Sequence, residues 1–594
     1  MLIMLENITK ILYGISNNES IDVTVKLTDY LKIYNIINID TNIHKLVKDP
    51  YENQPKKLFI YTDNEVKIIN ELNGCLSEKI INKKKIIILT SYIVNSIAIN
   101  LQYLLQELGY LVSIVYTITE EDCLNSLNYL YIIIHHSNKY LHSFLPINYI
   151  LYQIEQSELF FDKEMINMLN NSIAIWDYSV KNKDLYLDIP FNKFYYNPFP
   201  VIYSNDVSVK NNIKYDVLFY GADNTRRCNI LNNLAQKYNI CIKYGFFGDQ
   251  RDELIKQSKI VINLHYYKNS VLETARINEV LKFGKLVITE KSIEGDNYNE
   301  NYYKNVVSYF DIIKDDLSNI QQLYDLIDFY LLESNYNKKI NIIKNNLYSF
   351  YTRSKFHLHK NLLSLNMEPN TMIYDVNVNT IYCLHLIETP YRLEKFEFKS
   401  NIEIYPAVKA NPGFKGCGLS YQNLLLNAKR CGIDNITICE DDCSFNTDFK
   451  EKYNTIKSFL KQYTSGWDIF VGCIAMLPHD TIISNVVNYN GLTFVEINKM
   501  HSMVFNIYNK TCYDKIITCN QVGQYNEFGQ YNQIDQKIKQ SNFKIITTYP
   551  FEFKCTDVVS TFSGEKCFDI YNQMFNNSLT VLKNKIDIYN SQKI

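Results

Sequence analysis

Arginine is scarce in this chain. Only seven occur, at positions 226, 227, 251, 276, 353, 392 and 430, among 61 basic residues in a chain of 594. Glycine is sparse as well, with 18 residues, and tryptophan occurs twice. Asn, Ile, Lys and Tyr dominate, as expected of a coding sequence poor in G and C, and that bias accounts for 49 tyrosines without a functional reason. Each arginine is informative because something kept it against the bias. Neither sign of charge is in excess: 61 basic residues face 63 acidic ones, for a net charge of -2. This excludes the one-signed field of a nucleic-acid or anionic-membrane binder. Uninterrupted apolar runs of ~18 residues, long enough to cross a bilayer, are absent. The most apolar stretch, 86–116, is broken by Ser91, Asn95, Asn100, Gln102 and Glu107. The start, MLIMLENITK, lacks a basic region followed by an apolar one, so no signal peptide is expected. The 14 cysteines include no CxxC pair, which fits a reducing compartment, and a cytoplasmic or host-cytosolic location is expected.

What is present is enough apolar and aromatic residue, 46% and 14%, for packed cores. At roughly 150 residues per domain the length suggests about four. Residues 1–78 read as a small β module with strands ITKILYG, IDVTVKL, KKLFIYT and EVKIINELNG. From 79 to 205, buried-type apolar runs (KIIILTSY, LVSIVYT, YLYIIIHH, NYILYQIEQ, SIAIWDYS) alternate with helical stretches, which predicts a Rossmann-like parallel sheet. A second unit of this texture covers 206–370, with YDVLFYG, ICIKYGFFG, KIVINLHYY, KLVITEK and NVVSYF, then closing helices over about 317–333 and 337–364. A polar linker is expected over 366–379, a further α/β domain over 380–560, and a helical tail over 561–594.

Four of the seven arginines fall between 226 and 276. The arginine fork binds two phosphate oxygens at once, and strand ends beside helix N-termini favour anions. Arg226 follows the turn Gly221–Thr225, Asn263 and His265 close the next apolar strand, and the following helix carries Glu273, Arg276 and Glu279. Alone, that last spacing equally makes a surface salt-bridge ladder. The stretch SKIVINLHYYKNSVLETARINEVLKFGKLVITEKS resembles the nucleotide-sugar-binding half of GT-B glycosyltransferases of the retaining group 1 type. The resemblance implies a sugar or ribose contact for Glu273 or Glu279 and a diphosphate contact for Arg276 or Arg226, with Asn263 and His265 beside them. Where that family has a glycine-rich loop in its first half, this chain reads SYIVNS.

A second cluster, Glu440-Asp441-Asp442, follows the apolar strand Ile436–Cys439. Strand alternation puts 440 and 442 on one side and 441 on the other. Two hard oxygen ligands suit Mg²⁺ or Mn²⁺, although an acidic loop after a strand also accounts for the triplet. The run FKGCGLSYQNLLLNAKRCGIDNITICEDDCSF resembles glycosyltransferase family 25, through Gly416, Cys417, Leu419, Ser420 and the Glu-Asp-Asp end, with Tyr421 at the family's histidine. CLHLIETPYRLEKF, with Arg392, resembles that family's opening strand and turn, and WDIF and HSMVFNIYNK resemble later segments. The resemblance implies a GT-A fold, a nucleotide-sugar donor such as a UDP-sugar, and a Mn²⁺ or Mg²⁺ ion. It makes Glu440, Asp442 and His501 candidate ligands, Arg392 and Glu440 donor contacts, and Asp535 the candidate base. The expectation is a bifunctional glycosyltransferase acting on a glycan or protein acceptor, with no nucleic acid and no membrane span. The alternative is a single C-terminal head whose GT-B-like region binds acceptor or is structural.

Overall fold

The computed structural model describes residues 8–16, 19–28, 36–37, 56–62, 66–72, 75–76, 80–81, 85–119, 129–135, 145–146, 148–155, 163–186, 189–202, 213–267, 270–292, 297–365, 367, 375–396, 401–410, 413–518, 534–556 and 568–592. The expected linker over 366–379 lies largely outside them. The chain divides into two compact units: residues 1–194 with 198–351, and residues 195–197 with 352–594.

Among the described residues, unit 1 is built on three larger sheets, besides a two-stranded pair of Ile36–Ile37 with Ile80–Ile81. In the N-terminal one, Ile8–Gly14 pairs antiparallel with Ser20–Asp22 and with Lys57–Thr62, which pairs antiparallel with Val66–Leu72. The expected strand IDVTVKL stops at Asp22 because the Asp22 carboxylate accepts from the Thr24 backbone N–H at 3.0 Å and from its hydroxyl at 2.6 Å. That capping bond turns residues 24–28 into a helical turn instead.

In the second sheet five strands run mutually parallel, in the order Ala174–Asp177, Tyr149–Gln153, Tyr129–His135, Lys85–Leu89, Val112–Val115. The third has five more in the order Ile240–Tyr244, Tyr215–Gly221, Ser258–Asn263, Leu286–Glu290, Val307–Phe310, again all parallel. Continuous apolar runs form them because both faces are covered: Ile132, Ile134, Ile150, Leu218, Val261 and Ile288 are all fully buried. Two asparagines tie these halves together. Asn278 donates to the Phe199 carbonyl and Asn299 to that of Tyr178, each at 3.1 Å. The expected closing helices are Gln321–Leu331 and Glu333–Ser364, the second divided between the units.

Unit 2 is built on one mixed sheet of eight strands, in the order Ile402–Pro406, Ile381–His385, Asn435–Glu440, Phe505–Asn509, Ile469–Val471, Ile545–Tyr549, Leu492–Ile497, Ile483–Tyr489. The first three run parallel. Phe505–Asn509 is antiparallel to both its neighbours, and Ile469–Val471 pairs parallel with Ile545–Tyr549. A helix runs Gly413–Arg430 and contains three glycines, which propensity disfavours inside a helix. Close packing overrides propensity here: a Cβ on Gly416 would lie 2.2 Å from the Val408 carbonyl oxygen. Phe568–Ser591 is the expected helical tail.

Among the described residues no helix is long and apolar enough to cross a membrane, and the ten described cysteines are free thiols.

Candidate functional site

In unit 1 the arginines gather where the Tyr215–Gly221 strand ends. Asn224 caps the next helix, Thr225–Ala235, by accepting from the Arg227 backbone N–H. Gly221 has φ +152°, and a Cβ there would meet the Arg276 guanidinium at 3.0 Å and that of Arg227 at 3.5 Å. Its bare backbone therefore lets both cations approach the strand end.

The two neighbouring arginines do different work. Arg227 is buried and donates to the Leu264 carbonyl, to Ala222 O at 2.8 Å and to Glu273 at 3.2 Å. Arg226 grips the fully buried Glu290 with two nitrogens and donates to the carbonyls of His265 and Ile313. Glu290 also accepts the backbone N–H groups of His265 at 2.7 Å and Ile313 at 2.9 Å. Arg226, a sequence-level diphosphate candidate, is thus locked into an internal hub with no exposed fork. The sequence reasoning passed over Glu290. Its signal was a single charge closing an otherwise uncharged buried strand, LVITE.

Arg276 pairs with Glu273 at 2.7 Å and reaches Asn263 Oδ1. Asn263 in turn donates to Thr289 at 2.8 Å. His265 is fully buried, with Nε2 2.9 Å from the Lys291 carbonyl and Nδ1 3.9 Å from Glu273. Glu279 is turned away from this group. It pairs with Arg251 at 2.6 Å and Lys282 at 2.7 Å, so the Glu-x-x-Arg-x-x-Glu pattern splits into one cluster on each side of the helix Thr274–Leu281. Tyr244 lies directly across the sheet from Gly221. After it, Gly245 and Gly248, with φ +71° and +57°, bracket Phe246 and the half-exposed Phe247.

Burial opposes the charge on Glu273, but Arg276, His265 and Arg227 outweigh it and hold the carboxyl down to about 2. A carboxyl lowered on folding stabilises the fold above its unfolded value and loses that contribution as pH falls through its folded one. Glu273→Gln should therefore destabilise the chain by up to about 3 kcal/mol at pH 6–7. In urea melts the gap between parent and variant should shrink steadily from about pH 4.5 towards pH 2. A gap unchanged down to pH 3 would show that the ion pair contributes nothing.

In unit 2, Leu384 of the Ile381–His385 strand lies opposite Glu440, so the two strand ends share one edge. Asp441 faces inward: His385 Nδ1 lies 2.7 Å from one oxygen, and Arg392 Nε donates to the other at 2.8 Å. Arg392 also comes within 3.5 Å of Asp442. Its fork is held by this carboxylate, which fixes the turn Pro390–Lys395 against the acidic strand end.

The strand ends at Glu440, and Asp441 and Asp442 form the turn that follows; Glu440 and Asp442 are both partly buried. Burial first, then the neighbouring carboxylates, push both well above the ordinary carboxylate range. One Asp442 oxygen is buried without a hydrogen-bond partner. Cys417 approaches Glu440 Oε1 at 3.6 Å, and Tyr421 donates to the Met503 carbonyl at 2.7 Å while lying 3.5 Å from Glu440. The strand pair Cys443–Ser444 with Lys554–Cys555 pins the chain just beyond the acidic motif.

His501 and Asp535 form an ion pair with each other through Nε2 and Oδ2. Besides burial, the charges of Glu440, Asp535 and Asp442 all raise the Cys417 thiol, so the His501–Asp535 pair borders the acidic pair. Among the described residues no three His, Cys, Asp or Glu side chains are disposed around one metal position. His501 is committed to Asp535. The donor chemistry nevertheless fits a hard cation held by two carboxylates, one with a buried oxygen lacking a partner. Its remaining ligands would be oxygens from outside the protein.

No family model matches the chain. An uncharacterised protein of Acanthamoeba polyphaga mimivirus is 35% identical over 169 residues, which is 27% of this chain and 58% of that protein's length. Solved structures with a similar arrangement include a glycosyltransferase from Rickettsia africae (13% identity, 48% of this chain and 97% of that one, TM-score 0.31). WaaG, a glycosyltransferase involved in lipopolysaccharide biosynthesis, matches at 9% identity over 46% and 98%, TM-score 0.31. Sucrose-phosphate synthase from Thermosynechococcus elongatus matches at 10% over 47% and 98%, TM-score 0.31. With identity and superposition this low, the residues described above carry the reading that follows.

Proposed function

We propose that the chain is a glycosyltransferase with two heads, each using a nucleotide-sugar donor. The observation that carries this reading is the acidic pair. Glu440 and Asp442 lie partly buried at a strand end and in the turn after it, with one Asp442 oxygen lacking a hydrogen-bond partner, while Asp441 is spent on His385 and Arg392. Buried like charges destabilise a fold, and their retention points to a cationic ligand.

In the C-terminal head Glu440 and Asp442 would hold Mn²⁺ or Mg²⁺ against the donor diphosphate. Such an ion supplies charge neutralisation for the leaving group. The acceptor hydroxyl oxygen bonds to the sugar's anomeric carbon as the bond from that carbon to the diphosphate breaks. The nucleoside diphosphate departs, and the hydroxyl proton passes to Asp535, oriented by His501. In the unit 1 head, Arg276 at the Gly221 strand end would take the diphosphate, and Glu273 would exchange its pairing with Arg276 for a sugar hydroxyl.

A second reading has one observation in its favour: Arg226, Arg227 and Arg276 each already have a carboxylate partner. On that reading unit 1 only binds acceptor or is structural. A panel of UDP-, GDP- and ADP-sugars, measured on the full chain by thermal shift and donor hydrolysis with Mn²⁺ and with EDTA, separates these. A ligand at 100 times its Kd adds about 2.7 kcal/mol of stability. Two heads predict hydrolysis with Mn²⁺ and a residual nucleotide-dependent shift in EDTA. Loss of every shift in EDTA leaves one head. No shift and no hydrolysis under either condition rejects the glycosyltransferase.

A further inference from the structure

The turn SYIVNS, which replaces the glycine-rich loop, has its own chemistry. It forms one 3-10 turn, Tyr92–Val94, leading into the helix Asn95–Glu107. The Tyr92 ring stacks on Tyr116 with centroids 4.1 Å apart and planes 14° from parallel. The Tyr116 hydroxyl donates to Asn95 Oδ1 at 3.0 Å, which fixes the supporting ring. Tyr92 is thus braced from behind, yet it is 77% exposed, and its neighbour Ile93 is 43% exposed.

The place is as telling as the exposure. Lys85–Leu89 and Val112–Val115 are adjacent parallel strands, with Leu89 opposite Val115 and the Thr90 N–H donating to the Val115 carbonyl at 3.0 Å. Tyr116 is the next residue, so the stacked pair lies at the C-terminal ends of these strands, the edge at which open α/β sheets bind ligands. Neither segment, Thr90–Asn95 nor Tyr116–Thr119, carries a charged side chain. A phosphate or carboxylate would find no counter-charge on them. A flat ligand with an apolar face and polar edges would cover the ring and keep its own hydroxyls in water.

We propose that the open face of Tyr92, braced by Tyr116, is a platform for a neutral pyranose ring of the acceptor glycan. This rests on the glycosyltransferase reading and adds to it the acceptor's chemical class and a residue that selects it. Ring stacking, not the hydroxyl, does the binding, so phenylalanine should substitute.

The test is saturation-transfer NMR on the full chain with lactose, maltose and chitobiose, with UDP measured in parallel. At least one disaccharide should bind the parent. Tyr92→Ala should weaken that binding tenfold or more, Tyr116→Ala should weaken it less, and Tyr92→Phe should preserve it. UDP binding should be the same in all four proteins. The platform is overturned if no disaccharide binds the parent, if Tyr92→Ala binds as the parent does, or if Tyr92→Phe loses as much as alanine. It is also overturned if UDP affinity falls together with the sugar's, which would make the ring a nucleobase platform. Failure of the glycosyltransferase reading looks different: sugar binding that depends on Tyr92, with no nucleotide bound by the parent.

Discussion

Asp442→Asn should give a chain that melts higher than the parent and has lost its Mn²⁺-dependent donor hydrolysis. The two effects share one cause. Glu440 and Asp442 are partly buried, and after burial the Asp442 charge is the largest cause that raises the Glu440 carboxyl. Removing one charge relieves that repulsion, worth on the order of 1 kcal/mol, at the level of other single stabilising substitutions. For a unit of this size that is a rise of about 2–4 °C in Tm. The same substitution removes half of the proposed cation site, and hydrolysis should fall on the order of 100-fold or more, as for loss of a metal ligand or its support. A purely structural carboxylate predicts the opposite sign in the melt. Asp442 lies 3.5 Å from Arg392 and receives a thiol hydrogen bond from Cys555, and if these were its purpose the variant would melt lower. Differential scanning fluorimetry without metal and hydrolysis with 1–5 mM Mn²⁺ read the two effects separately. A lower Tm with unchanged hydrolysis would end the case for a catalytic acidic pair.

How much of this was legible in the sequence depended on how far apart the partners lie. Parallel strands could be read from continuous apolar runs such as KIIIL and YLYIIIH, since burial on both faces leaves no other pattern. Alternation along one strand could not place the Glu-Asp-Asp triplet, because the strand ends at Glu440, and Asp441 and Asp442 lie in the turn after it. The need for Gly416 within the helix Gly413–Arg430 was not readable, because it comes from a close approach to the Val408 carbonyl that leaves no room for a Cβ, a contact across the fold. The pairing of His501 with Asp535 was hidden for the same reason. Sequence gave them separate roles, as a metal ligand and as a base, and only the packing of segments 34 residues apart brings them together. The scarcity of arginine drew attention to the strand ends of both units, but it could not distinguish a guanidinium facing a ligand from one facing a buried glutamate.

That distinction is testable in unit 1, where Arg226 and Arg276 were equal candidates for the diphosphate. Glu290→Ala should be among the most destabilising single changes in the chain. It strips the partner from Arg226 and leaves the backbone N–H groups of His265 and Ile313 without an acceptor, all in a fully buried setting. Breaking a buried pair by removing one member costs about 3–5 kcal/mol. At about 2–4 °C per kcal/mol, Tm should fall on the order of 10 °C. Arg226→Ala should behave similarly, since it leaves the Glu290 charge buried and only partly compensated. Arg276→Ala should not. Its partner Glu273 keeps a second cation, Arg227, at 3.2 Å, so the melt should fall by less than for Glu290→Ala, on the order of 5 °C. What it should lose is nucleotide affinity measured in EDTA, tenfold or more, because a charge-assisted phosphate contact contributes about 1.5–3 kcal/mol. Calorimetric titration of the full-length variants with UDP and GDP, beside their melting curves, separates the two arginines. Equal losses of stability for Arg226→Ala and Arg276→Ala, with nucleotide affinity intact in the second, would make the whole strand-end cluster a scaffold and leave the Glu440–Asp442 edge as the chain's single catalytic candidate.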